Sequence, residues 1–138
     1  MIEAIYKMKP SCHQAVWGGT KLLTEYRQPA GASTCAESWV LSAHENGSAT
    51  LASGKAAGER FSDWIVGDGA CTLGTHGKTF ERFPVLIKLI DAAAPLSVQV
   101  HPDDAFAWAH EHEYGKTEMW LILQSEPGAF LYFGVERD

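Results

Sequence analysis

Short runs of aliphatic, aromatic and β-branched residues recur along the chain at 37–43, 48–52, 83–91, 96–101, 118–124 and 129–133, each bounded by turn-forming residues. This density of short strands predicts a mainly β protein, an antiparallel sandwich or barrel. Asn46-Gly47, where both residues tolerate positive φ, predicts a hairpin between the first two runs. Pro127-Gly128 punctuates the last pair in the same way.

Two stretches carry a helical period instead. Phe61, Trp64 and Ile65 stand at i, i+3 and i+4 within 59–65. Asp103-Asp104 place acidic residues at the start of 105–113, and Gly115 follows as a stop. Both read as short helical insertions on a β body. Residues 67–77 hold four glycines and no period, which predicts a loop. At 138 residues the chain is expected to form one domain, 1–138, with its own core.

Seventeen Asp and Glu oppose eleven Lys and Arg, a net charge of −6, with no cluster of cations. That excludes nucleic acid as the expected partner, because phosphate backbones are held by clustered positive charge. No apolar stretch resembles a signal peptide or a membrane span, so the expected location is cytoplasmic. Cys12, Cys35 and Cys71 are odd in number, widely spaced and in no CxxC pair, which predicts reduced thiols.

Candidate chemistry begins at 96–101. Alternation along a strand puts Ser97, Gln99 and His101 on one face and Leu96, Val98 and Val100 on the other. Three polar side chains in a row need solvent or a shared partner. If they line an interior, a metal held by imidazole nitrogen and amide oxygen is such a partner. Glu118, at the start of the next strand-like run, would add a carboxylate, giving a donor set suited to Zn²⁺ or another divalent first-row metal. The competing reading is a solvated polar strip with an unrelated surface glutamate.

Lys88 stands inside 83–90, apolar on both faces as in a fully buried strand, where an ammonium must be paired, at work, or snorkelling to a rim. Lys116 reads equally as a loop-tip lysine. His13, His44 and His76 lack ligand spacing and are read as structural or surface residues, and no nucleophile elbow is present.

Five blocks then come in order: Val16-Trp17-Gly18-Gly19; Ala36-Glu37-Ser38-Trp39 leading to Ser42-Ala43-His44; Phe83-Pro84-Val85-Leu86-Ile87-Lys88; Leu96-Ser97-Val98-Gln99-Val100-His101-Pro102-Asp103-Asp104; and Gly115-Lys116-Thr117-Glu118-Met119-Trp120. Together they resemble the landmarks of the type I mannose-6-phosphate isomerases, above all the short bacterial form built on cupin jelly-roll domains. The resemblance implies a zinc-dependent enzyme that interconverts mannose 6-phosphate and fructose 6-phosphate through an enediol. It implies Gln99, His101 and Glu118 as metal ligands, Ser97 and Lys116 beside the phosphorylated hexose, and Lys88 in the pocket, with both lysines counted as catalytic. No residue is singled out as general base.

Family members are much longer. The histidine that completes their metal site and a pocket arginine fall beyond position 138, so the resemblance implies an N-terminal portion. An incomplete jelly roll is expected, whose open sheet edge invites a second copy of the chain. The rival functional reading is a catalytically silent cupin-like module that binds metal or sugar, or only dimerises.

Overall fold

The computed structural model describes residues 5–28, 31, 33–67 and 70–134. Contacts within the expected 1–138 domain group into two compact units, Met1–Leu96 and Ser97–Asp138. Among the described residues the structure is sheet-dominated with short helices, and no barrel closes. No described helix is long and apolar enough to cross a membrane.

In the first unit, β1 (Met8–Lys9) pairs with β4 (Thr50–Leu51), and β2 (Ser11–His13), β3 (Glu37–Leu41) and β5 (Ile87–Ile90) form a second sheet with β3 at its centre. All pairings are antiparallel. The turn expected at Asn46-Gly47 forms, with Gly47 N donating to His44 O at 3.1 Å and Ala49 N to Ser42 O at 2.8 Å. Its two arms nevertheless find their ladders elsewhere, β3 with β2 and β5, β4 with β1. A turn signal fixes the local reversal and leaves the choice of partner to packing.

The register of β3 against β5 slips. Trp39 lies opposite Lys88, yet Leu41 lies opposite Ile87, so β3 carries one residue more than its partner over that step. This is a β-bulge.

Two short helices line the connections. One, α1 (Lys21–Thr24), gave no signal in the sequence. The other, α2 (Phe61–Val66), forms where the period predicted it, with Phe61, Trp64 and Ile65 buried. Its leading amides are satisfied from outside: Phe61 N donates to Ala49 O at 2.8 Å and Ser62 N to Ser48 Oγ at 3.0 Å. The core gathers Ala49, Leu51, Phe61, Trp64 and Ile65, with Leu41 and Phe83 packed against it.

Three expectations need correction in this unit. The stretch 67–77 contains a 3₁₀ turn, Ala70–Leu73, and α3 (Gly74–Gly77) among its described residues, not a plain loop. The run around Lys88 is not fully buried: β5 is an edge strand, and Val85, Leu86 and Ile87 are exposed. Cys12 and Cys35 are not separate thiols but form a disulfide, Cα to Cα 5.9 Å, because β2 is laid beside β3 with Cys12 opposite Ser38. Cys71 is exposed.

The second unit is built on α4 (Asp104–Glu111). Asp103 caps it, its Oδ1 accepting from Phe106 N at 2.8 Å, as the acidic start predicts. The stop is His112 in the left-handed region (φ 55°), not Gly115. Gly115 serves another need: a Cβ there would lie 2.5 Å from the Asp103 carbonyl carbon and the Asp104 nitrogen. The turn at Pro127-Gly128 forms as expected, with Ala129 N on Glu126 O. The runs 96–101, 118–124 and 129–133, expected as strands, have no ladder among the described residues. A strand needs a neighbour to satisfy its backbone, and in this unit none is supplied.

Candidate active site

The second unit brings together His101, Lys116 and Glu118. Gly115 makes this possible, since the absence of a side chain lets the chain press against the start of α4. Gly115 N donates to Asp104 Oδ1 at 2.9 Å and Lys116 N to Pro102 O at 3.1 Å, which draws 115–118 alongside 101–104.

Glu118 is the hub. Its Oε2 lies 2.9 Å from His101 Nε2 and accepts from Trp120 Nε1 at 3.3 Å, while its Oε1 meets Lys116 Nζ at 2.9 Å. His101 and Glu118 keep only 23% and 24% of their side-chain exposure. Partial burial works to raise the Glu118 pKa, but the hydrogen bonds from Lys116, His101 and Trp120, with the Lys116 charge, bring it down to about 2. The carboxylate is therefore held ionised, the form a metal requires.

Ser97 and Gln99 share a face as the alternation predicts, Gln99 Nε2 donating to Ser97 Oγ at 2.9 Å. This contact uses the amide nitrogen and leaves the acceptor role to the carbonyl oxygen, the atom a dication binds. Among the described residues no three His, Cys, Asp or Glu side chains gather as a metal cage. The donors in contact are one imidazole and one carboxylate, His101 and Glu118, while Gln99 bonds to Ser97. The Lys116 ammonium beside them favours an anion and opposes a cation, so it suits a phosphate or a developing oxyanion.

In the first unit Lys88 has the partner its setting demands. Its Nζ lies 3.1 Å from Glu37 Oε1, and Trp39 Nε1 donates to Glu37 Oε2 at 2.7 Å. Trp39 is in turn stacked on His13 (ring centroids 4.0 Å) and meets His44 edge-on. Burial lowers the His13 pKa, and Lys88 and His44 push the same way against Glu37. His13 and His44 are thus packing partners of an indole, the structural role expected of them.

Sequence reasoning assigned no role to Glu37, Trp39 or Trp120. The alternation Glu37-Ser38-Trp39 carries the signal for the first two, because it sets a carboxylate and an indole on one strand face. Trp120 is the same case, two residues after Glu118.

The family profile described as "Phosphomannose isomerase type I, catalytic domain" matches residues 5–122. The mannose-6-phosphate isomerase of Streptococcus mutans is 35% identical over 136 residues, covering 99% of this chain and 42% of that protein. The probable mannose-6-phosphate isomerase GmuF of Bacillus subtilis is 39% identical over 129 residues, 92% of this chain and 40% of that protein. Among solved structures, a mannose 6-phosphate isomerase from Bacillus subtilis superposes with a TM-score of 0.72 at 32% identity, covering 80% of this chain and 34% of that one. The expected cupin-like β fold is the fold of this neighbour. The chain spans about two-fifths of the length of the curated relatives it matches.

Proposed function

From the premise that the chain belongs to the type I phosphomannose isomerase family, we propose that it carries the metal- and substrate-binding part of an isomerase interconverting mannose 6-phosphate and fructose 6-phosphate. The observation that carries this reading is the convergence of His101 and Lys116 on one ionised Glu118, inside the stretch the family profile spans.

Aldose to ketose conversion moves one proton between adjacent carbons through an enediol, so the site must hold the sugar, accept a proton and stabilise an oxyanion. Gln99, His101 and Glu118 would hold Zn²⁺ or another divalent first-row metal. When bound, that ion supplies Lewis acidity and orients the oxygens of the reacting carbons. Lys116 offers an ammonium to the phosphate or to the developing negative charge. Ser97 offers a hydroxyl to a sugar oxygen. Lys88, in the first unit, is paired with Glu37, and its part in the reaction rests on the family resemblance alone. A sugar phosphate cannot cross a membrane unaided, so the work belongs in the cytoplasm. There the Cys12–Cys35 bond would face reducing thiols.

The test is isomerisation of mannose 6-phosphate by this chain with added Zn²⁺, before and after His101→Ala. Turnover that disappears with the imidazole supports the isomerase. The second reading, a silent metal- or sugar-binding module, predicts zinc binding lost in His101→Ala with no turnover in either protein.

A further inference from the structure

We propose that Cys12 and Cys35 are a reversible thiol–disulfide pair, with Cys12 the sulfur that exchanges with a small-molecule thiol or disulfide such as glutathione, and that closing the pair fastens Trp17, Gly19 and Lys21 in place. In the structure the two cysteines are joined, 23 residues apart in sequence and 5.9 Å apart at Cα. The bond is not what folds the first unit. The hydrophobic cluster of Ala49, Leu51, Ala56, Phe61, Trp64 and Ile65 contains neither cysteine. Backbone pairing brings the two together: Cys12 lies opposite Ser38 and His13 opposite Glu37, and Ala36 N donates to His13 O at 2.9 Å. None of these contacts uses a sulfur, so the sulfurs remain neighbours when the bond opens. The reduced state is also provided for. Cys35 Sγ lies 3.4 Å from Glu37 O, so a buried Cys35 thiol has an acceptor for its proton.

The two sulfurs differ in access. Cys35 is 0% exposed while Cys12 is half-buried, so an incoming reagent meets Cys12 first. To close the pair, the Cys12 thiolate attacks one sulfur of glutathione disulfide, forming a mixed disulfide and releasing one glutathione thiolate. The Cys35 thiolate then attacks the Cys12 sulfur and releases the second. The two cysteines give up two electrons and two protons, and two glutathione thiols carry them away. Opening runs the same steps backward, with a glutathione thiolate attacking Cys12 and Cys35 leaving. The closed pair bounds a stretch that is otherwise held by hydrogen bonds. Gly19 N donates to Asp91 O at 3.1 Å, Lys21 N to Asp91 Oδ2 at 2.7 Å, Ala93 N to Trp17 O at 2.9 Å and Cys35 N to Gly19 O at 3.2 Å. Opening the bond leaves these to hold the stretch against the residues after β5 alone, so it opens locally more often. Neither the metal nor the isomerase reading enters this proposal.

The test equilibrates the full 138-residue chain, without denaturant, in buffers of graded reduced and oxidised glutathione, then traps the thiols by alkylation and maps them by mass spectrometry. The expected result is a Cys12–Cys35 disulfide in excess oxidised glutathione, a dithiol in excess reduced glutathione, and the same curve from either direction. Reduction should speed hydrogen exchange at the amides of Gly19, Lys21 and Cys35 by at least about tenfold while those of Leu51 and Phe61 keep their rates. In Cys35→Ser, glutathione should accumulate on Cys12, and in Cys12→Ser the buried Cys35 should take up about tenfold less. A bond that survives excess reduced glutathione until the chain unfolds overturns the proposal, as do thiols that never join in oxidised glutathione. So does loss of protection at Leu51 and Phe61 on reduction, which would make the bond a staple of the fold, or exchange at Gly19 and Lys21 that ignores the bond. Glutathione found on Cys35 in preference to Cys12 overturns the assigned order of attack. Where a serine variant does not fold, the titration and the exchange pattern of the parent protein decide.

Discussion

Gly115→Ala should dismantle the Glu118 hub from a distance of three residues. The added Cβ would sit 2.5 Å from Asp103 C and Asp104 N and 2.8 Å from Pro102 O, all backbone atoms that no rotamer change can move. Reaching ordinary contact at 3.4 Å requires 115–118 to retreat from 101–104 by about 0.9 Å. Added to the hydrogen bonds Gly115 N to Asp104 Oδ1 (2.9 Å) and Lys116 N to Pro102 O (3.1 Å), that retreat takes both beyond bonding distance. Overpacking of this kind costs about 1–3 kcal/mol, so the docked arrangement loses about one to two orders of magnitude in population. The readout is the Glu118 carboxyl itself, followed by carbon-detected NMR as pH is lowered. In the parent protein it should titrate near 2. With alanine, His101 and Lys116 withdraw and the midpoint should climb toward the ordinary 4.5. Gly128→Ala is the control, since Gly128 needs its positive φ of 84° but has nothing within 4 Å of a Cβ. It should strain its own turn and leave Glu118 alone. A midpoint that stays near 2 in Gly115→Ala would refute the reasoning.

Three further outcomes are expected. Leu51→Ala, at a fully buried position among Phe61, Trp64 and Ile65, should lower stability by about 2–5 kcal/mol in urea unfolding. Trp39→Phe keeps the ring on His13 but deletes the donor to Glu37 Oε2, which should cost about 1–2 kcal/mol by the same measurement; no loss would mean the bond is idle. Because the folded His13 pKa lies below its ordinary 6.5, the unfolded chain takes up more protons, so stability of the first unit should fall as pH drops through 6.5 toward the folded value. Urea midpoints across that window check the sign, and His13→Phe should flatten the slope.

Local signals were legible wherever the chain alone determines the outcome. The spacing of Phe61, Trp64 and Ile65 sufficed for α2, and the Asp103 cap sufficed for the start of α4. The Ser97, Gln99, His101 face was legible because alternation is a property of the backbone. What escaped depends on partners remote in sequence. Cys12 meets Cys35 only after β2 lies beside β3, and Lys88 meets Glu37 only across β3 and β5. Gly115 was read as a helix stop because glycine commonly ends helices, whereas here it clears space for a neighbouring backbone. The run 118–124 was read as a strand from its composition, which reports willingness to pair and not the presence of a neighbour.

The slipped register of β3 has a reach beyond its own strand. Residues directly opposite one another point the same way, so Trp39 shares the side of Lys88, while Leu41 shares the side of Ile87. The one surplus residue turns the second half of β3 over: its first half presents Glu37 and Trp39 to the lysine, its second half sends Leu41 inward to the oily interior. Excising Val40 would let the ladder run on uninterrupted with Leu41 still opposite Ile87 and on its present side, whereas a regular strand that kept Val40 would bring Leu41 to the side of Trp39 and Lys88, a leucine in the company of charges. In this strand an apparent irregularity is the hinge of a two-sided plan, and counting residues matters more there than choosing them.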